Sequence, residues 1–347
     1  MQREKRVGPF NLPRQAGENA IIEWLKQQYA AKCPTLKKGL GDDAAVWRPR
    51  GAEELWAVTT DMLVEEIDFR RDWTTPQELG YKSLAVNLSD LAAMGVVPRF
   101  FTVALALSPN VTSRWIQGFY DGLHECGERY GAMLVGGDLS AADRITVSIT
   151  AFGESRHRRI LYRSGGRPGD LLYVTGTLGK SAAGLELLRR GTLRSRSGAK
   201  REALCAHRTP EPRCHVGAWL AQSGCARAMM DLSDGLSADL PRMCAASGVD
   251  AEISKAGIPV FAPAAPWGCD PLQMALDGGE DYELLFAVPR SKKKLLEASW
   301  PVDFPTATHI GNMLRGNGKV WISATGRPSA RLPLPVRGFD HFTERET

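Results

Sequence analysis

The 347-residue sequence predicts a two-domain protein of the α/β (α+β) class. Three observations predict it. The chain is longer than a single hydrophobic core usually organises. Short apolar runs of strand character and longer runs with helical spacing occur in both halves. Between the halves lies a polar, basic, glycine-bearing stretch, 153–169, which separates a domain 1–155 from a domain 156–347.

Taken in order, Ile21, Ile22, Leu25 and Tyr29 fall at helical spacing and predict an amphipathic helix over 18–31. Ala44–Trp47 and Leu55–Asp61 read as strands. Thr75 as cap and Pro76 at the first helical position open a helix that runs through Leu79, Leu84, Leu88 and Leu91 to Gly95. Phe101–Leu107 is a predicted strand, Thr112–Tyr130 a helix, and Ala132–Val135 and Ile145–Phe152 strands. In the second half Asp170–Thr175 is a strand and Ser181–Arg190 a helix. Residues 191–210, rich in Arg and Ser, read as a mobile loop. Pro212–Gln222 follows as a helix, Ala228–Asp231 as a strand, Ser237–Ala246 as a helix, Ala251–Ile253 and Tyr282–Val288 as strands, and the tail holds two weaker strands.

Composition narrows the function classes. Hydrophobic residues make up 43% and charged residues 24%, ordinary for a globular chain with a sizeable core. Glycine, with 35 residues, exceeds its usual share of ~7% and points to tight loops. The net charge of +5 is dispersed, and the runs 156–159 and 292–294 lack interleaved aromatics, so no nucleic-acid partner is expected. The basic segment 1–14 has no apolar core after it, and no uncharged stretch reaches the ~18 apolar residues of a membrane span. Seven cysteines form no C-x-x-C pair, which fits reduced thiols in a cytoplasmic protein. Cys205, His207, Cys214 and His215 cluster without a zinc-type spacing, interrupted by Pro210 and Pro212.

One chemical theme recurs. Short acidic motifs sit in glycine-rich or cap-like settings: Gly41-Asp42-Asp43, Thr59-Thr60-Asp61, Ser89-Asp90, Gly136-Gly137-Asp138, Asp231-Leu232-Ser233-Asp234-Gly235 and Gly278-Gly279-Glu280-Asp281. Each alone is accounted for by a turn, a helix cap or a solvated face. Together they carry more weight, because Asp61, Asp138 and Asp231 all end apolar runs, where α/β proteins place ligand sites. Gathered carboxylates repel one another unless cations neutralise them. Many carboxylates and few histidines favour magnesium and phosphate chemistry over zinc hydrolysis. Gly176-Thr177-Leu178-Gly179-Lys180-Ser181 imitates the end of a P-loop, yet Val174 stands where the full pattern needs glycine, so it reads as a strand–turn–helix junction whose helix end still attracts anions. No G-x-S-x-G or H-E-x-x-H motif is present.

These motifs in this order, with Ala85-Val86-Asn87-Leu88-Ser89-Asp90-Leu91-Ala92-Ala93-Met94-Gly95 and the terminal Gly338-Phe339-Asp340-His341-Phe342, resemble the thiamine-monophosphate kinases over most of the chain. The resemblance implies a fold shared with aminoimidazole ribonucleotide synthetase. Its N-terminal domains would pair into a homodimer, with the ATP site near that interface. It implies transfer of a phosphoryl group from ATP to thiamine monophosphate with several Mg2+ ions and no phosphoenzyme. Carried over by motif, Asp43, Thr59, Thr60, Asp61, Asp90, Asp138, Asp231 and Asp234 are the implied metal ligands. Asp61, Asp90 and Asp138 would be the catalytic set, with Asp61 and Asp90 bridging metals. Tyr130, Gly136, Gly137, Arg163 and Ser233 are the implied ATP contacts; Asp68, Glu280 and Phe339 would meet the substrate. Asp68 is a departure, since the family usually has histidine there. An ionised carboxylate cannot donate a hydrogen bond, so Asp68 would face the cationic thiazolium or another metal. Two other readings stay open: a selenophosphate synthetase-like enzyme, and a non-catalytic protein that binds a nucleotide or thiamine diphosphate.

Overall fold

The computed structural model describes residues 18–29, 33–156, 158–323 and 331–338. Phe339 lies outside them, as do residues 30 and 31 of the helix predicted over 18–31.

After α1 (Glu18–Tyr29), the first half builds a six-stranded sheet. Its strands are β1 (Leu36–Lys38), β2 (Ala45–Trp47), β3 (Trp56–Val64), β4 (Val97–Leu107), β5 (Met133–Ala141) and β6 (Thr146–Glu154), ordered β1-β2-β3-β6-β4-β5. Every pairing is antiparallel except β4 with β5. Parallel pairing needs a crossover, and α3 (Ser113–Tyr130) supplies it.

The helix α2 (Pro76–Ala93) connects the sheet to the rest of the molecule. Thr75 and Glu78 form a reciprocal capping box ahead of Pro76, as the sequence predicts. This helix is buried on nearly every side, polar positions Lys82, Ser83, Asn87 and Ser89 included. It packs on β3 and β6, on α3, on α6 (Cys214–Ser223) and on β8 (Ala228–Asp231). Two glycines allow the α2–α3 crossing. A Cβ on Gly80 would lie 1.9 Å from the Phe119 carbonyl oxygen, and one on Gly122 would lie 1.9 Å from that of Gln77.

The second half forms a seven-stranded sheet, ordered β13-β12-β9-β11-β7-β10-β8. The strands not yet given are β7 (Leu171–Thr175), β9 (Asp250–Ser254), β10 (Leu284–Val288), β11 (Ala307–Leu314), β12 (Val320–Ser323) and β13 (Arg331–Pro333). Helices α4 (Lys180–Arg189), α5 (Gly198–Arg208), α7 (Leu236–Ser247), α8 (Pro271–Asp277) and α9 (Lys293–Ser299) complete it. One apolar cluster joins the two halves, running from Leu84, Leu88 and Phe101 through Val216 and Leu220 to Tyr173 and Phe286. The cleft between the sheets therefore has a packed floor.

The structure corrects several expectations. Residues 198–208 are helix, not part of a mobile loop, because Ala203, Leu204 and His207 form a buried stripe against α4. The strand expected at 132–135 runs on to Ala141, and the tail contributes three strands instead of two. β1, α8 and α9 have no counterpart in the sequence reading, although Asp270 caps α8 with the Asp-Pro signature of a helix start. No helix among the described residues is long and apolar enough to cross a membrane.

Candidate active site

A cleft of about 1620 Å³ opens between the two sheets. Its acidic centre is assembled from three distant segments: Asp43 in the loop before β2, Asp90 near the end of α2, and Asp231 at the end of β8. Ligand oxygens of these three carboxylates lie within 4.8 Å of one another.

Neighbours fix each acid. Thr59 donates its hydroxyl hydrogen to Asp90, and Ser89 Oγ donates to Asp231 Oδ2 at 2.6 Å inside the protein. Arg163 Nε donates to Asp43 Oδ1 at 2.7 Å, while the Asp43 Oδ2 atom is buried with no hydrogen-bond partner. Asp61 shares the cleft face of β3 with Thr59, and its amide donates to Asn87 Oδ1 at 3.0 Å. Thr60 also borders the cleft, but its hydroxyl is given to the Ile149 carbonyl at 2.9 Å. Asp234 sits at the rim, paired with Arg242, and Ser233 lines the same wall.

The crowding is costly in the absence of a counter-cation. Burial pushes the Asp43 carboxyl up to about 7; Arg163 opposes the rise and Asp231 adds to it. Asp231 is pushed up to about 6, first by burial, with Ser89 and Arg163 opposing and Asp61 adding. Asp90 is raised well above the usual carboxylate range by loss of hydration, then by Asp61, Asp231 and Asp43.

Glu280 lies across the cleft in a strained loop. Its φ is 65° and that of Tyr282 is 50°, both in the left-handed region. The Glu280 amide donates to the Ser233 carbonyl at 2.7 Å, and the Tyr282 amide to Leu232 at 2.9 Å, so this loop rides on the Asp231–Asp234 segment. Glu280 Oε1 pairs with Lys82 Nζ at 2.5 Å and Oε2 with His207 Nδ1 at 3.1 Å. Burial would raise this carboxyl, but Lys82 and His207 outweigh it and hold it at about 2. The sequence reading missed Lys82. Its signal is the spacing Lys82, Val86, Asp90, which lines up one face of α2. It also placed His207 in a cysteine–histidine cluster. In the structure His207 turns toward Glu280, Cys205 is exposed, and Cys214 is buried facing the Leu88 carbonyl.

Several predicted residues are elsewhere. Gly136, Gly137 and Asp138 lie on β5, an edge strand exposed along its whole length. β6 and β4 stand between it and β3, which puts Asp138 roughly 14 Å across the sheet from the Asp61 strand. A single chain therefore does not bring Asp138 to Asp61, Asp90 and Asp231. Gly137 has a structural requirement of its own, since a Cβ there would lie 2.1 Å from the Val103 carbonyl oxygen. Tyr130 is buried at the end of α3, beside the Arg129 guanidinium and His215, and does not line the cleft. Asp68 does line it, but Oδ2 accepts from the Val64 amide at 2.8 Å and so closes the turn after β3.

The P-loop-like segment is also resolved. The N-terminus of α4 is closed by the protein's own carboxylate, with Asp281 Oδ2 accepting from the Gly179 amide at 2.7 Å. Lys180 points away to Glu202 at 2.7 Å. The anion place that the sequence left open at this helix end is filled from within.

Comparison with known proteins agrees with this architecture. Residues 41–155 match the N-terminal domain of the AIR synthase related proteins and residues 167–322 the C-terminal domain. The thiamine-monophosphate kinase of Bacillus subtilis strain 168 is 35% identical over 307 residues, 88% of this chain and 93% of its own length. That of Escherichia coli K12 is 38% identical over 329 residues, 94% of this chain and 98% of its own. The solved structure of AaThiL complexed with AMPPCP and TMP superposes with a TM-score of 0.83 at 30% identity, covering 96% of this chain and 99% of that one. The chain thus belongs to the AIR synthase related proteins and, among them, to the thiamine-monophosphate kinases.

Proposed function

We propose that this chain transfers the terminal phosphoryl group of ATP directly to thiamine monophosphate, giving thiamine diphosphate and ADP. The observation that carries the reading is the meeting of Asp43, Asp90 and Asp231 in one cleft, from segments far apart in the chain. The donor set fits Mg2+. It is all oxygen, and it includes a buried Asp43 Oδ2 without a partner. Bound magnesium would neutralise the triphosphate and the charge that develops during transfer.

The chain's own residues do the rest. Thr59, Ser89 and Arg163 hold Asp90, Asp231 and Asp43 in fixed orientations, so little reorganisation is needed during the reaction. Arg163 adds a positive charge beside the acids, suited to a phosphate oxygen. The substrate phosphate oxygen attacks the γ-phosphorus in line; the bond from that phosphorus to the bridging oxygen breaks, and its electron pair leaves with ADP. The attacking oxygen is already largely ionised near neutral pH, so no strong protein base is required. Glu280 and Asp68, both anionic, face the organic cation end of the substrate, and the phosphates lie toward Arg163.

We assign the active unit to a homodimer. β5 is an unpaired edge with Met133, Leu134, Val135 and Leu139 all exposed, a surface that a second copy would cover. Asp138, Gly136 and Gly137 stand on that strand, so their part of the ATP site would fall at such an interface. Asp68 does not favour a non-catalytic reading, because its bond to Val64 gives it a structural task. The test is ADP release with ATP and thiamine monophosphate, against thiamine and other phosphorylated acceptors. Release that depends on thiamine monophosphate and disappears with a metal chelator is expected. ATP binding without turnover would move the chain to the non-catalytic class.

A further inference from the structure

The reading of Glu280 as a substrate contact leaves a physical problem. A carboxylate partly removed from water, as Glu280 is with 28% of its side chain exposed, is drawn toward protonation or toward solvent. The backbone beneath it is strained, with two non-glycine residues at positive φ within three positions. Something must hold both the charge and the direction of this side chain.

Two groups from different parts of the fold do so. Lys82, from α2 of the first half, has a side chain only 5% exposed and reaches Glu280 Oε1 at 2.5 Å. His207, from α5 of the second half, is almost as buried and meets Oε2 at 3.1 Å. Ser181 Oγ lies 3.1 Å from the same His207 Nδ1. A proton on Nδ1 serves Glu280, with the serine oxygen as a second acceptor. Each carboxylate oxygen thus has its own partner, and the two partners fix the plane of the carboxylate as well as its charge. Lys82 does not line the large cleft, whereas Glu280 and His207 do. Lys82 therefore reaches substrate through Glu280.

We infer that Lys82 and His207 are positioning residues that hold Glu280 as an oriented carboxylate for the cationic, nitrogen-bearing end of the substrate. Lys82 lies two turns before Asp90 on α2, on the same helix face. One rigid helix thereby sets the distance between the phosphoryl-transfer centre and the group that reads the organic part of the acceptor. The inference rests on the kinase reading.

The test is steady-state kinetics of the full-length chain and of Lys82→Met, Glu280→Gln and the double variant, with both substrates varied. Lys82→Met is expected to raise KM for thiamine monophosphate about tenfold or more while KM for ATP stays within about twofold. In the Glu280→Gln background, Lys82→Met should add less than about twofold, because the residue it serves is already lost. A lone buried charge could unfold the single variant. Glu280→Gln leaves Lys82 buried and unpaired in the same way, whereas the double variant leaves no lone charge. Its comparison with the wild type then decides the matter: a raised KM for thiamine monophosphate with KM for ATP within about twofold supports the inference, and an unchanged KM for thiamine monophosphate overturns it. An unchanged KM for thiamine monophosphate, a parallel rise in both KM values, or a full Lys82→Met effect on top of Glu280→Gln overturns the inference alone. A wild-type chain with no release dependent on thiamine monophosphate overturns the kinase reading, and this inference with it.

Discussion

Ser89 Oγ donates to Asp231 Oδ2 at 2.6 Å, and both residues are buried. Ser89 belongs to the helix that covers the first sheet, and Asp231 ends an edge strand of the second. The bond pins the two halves together beside the acidic centre. Ser89→Ala removes the donor and leaves a buried carboxylate short of a partner, a loss of about 1–3 kcal/mol. Urea unfolding should show that loss. Half-saturation of activity should also need more magnesium, since Ser89 opposes the upward push on Asp231.

Asp90→Asn keeps the shape of the site and removes a charge. The fold should persist by circular dichroism, while turnover at saturating magnesium falls at least ~100-fold, the scale of one preorganised electrostatic contact. Near-normal turnover in the purified variant would remove Asp90 from the catalytic set.

The acidic centre should make the metal-free protein more stable in mild acid than at neutral pH. Asp43 and Asp231 stand at about 7 and about 6, above the ordinary aspartate value, so folding favours their protonated forms. Their contribution to stability is complete below the unfolded value and is lost as pH rises through that window. In chelator, the melting temperature should fall from about pH 4 to about pH 7 and level off above it; added magnesium should flatten the trend, because a bound cation favours the ionised acids.

Lys180 tests the P-loop imitation. Its ion pair with Glu202 lies near the surface and contributes ~0–1 kcal/mol. Lys180→Ala should leave KM for ATP within about twofold, whereas removal of a phosphate-binding lysine would cost far more. A large rise in that KM would reopen the helix end now closed by Asp281.

Leu139→Glu tests the dimer. Leu139 is 64% exposed on the edge strand, and a charge there opposes burial against a second copy. Sedimentation should show two copies for the wild type and one for the variant, with activity lost in parallel. A monomeric wild type with full activity would refute the interface.

Local signals along the chain were enough to define the class of the protein and most of its elements. Capping at Thr75-Pro76, alternation in β6 and the apolar run of β8 are of this kind, since each depends on neighbours within a few positions. The chemistry of the cleft was legible too, because carboxylates that recur at strand ends tolerate one another only around a shared cation. Where polarity masked a short buried stripe, as in α5, local reading failed. Which acids meet was settled by packing: Asp43, Asp90 and Asp231 do, whereas Asp138 stands on a far edge strand. Packing also put Asp281 in the helix end that the sequence left open, and turned Lys82 and His207 toward Glu280. Such partners are remote along the chain; Gly179 and Asp281 are 102 positions apart, and Ser89 and Asp231 are 142 apart. No periodicity encodes these pairings, because they arise only when two sheets and the helix between them pack into one core.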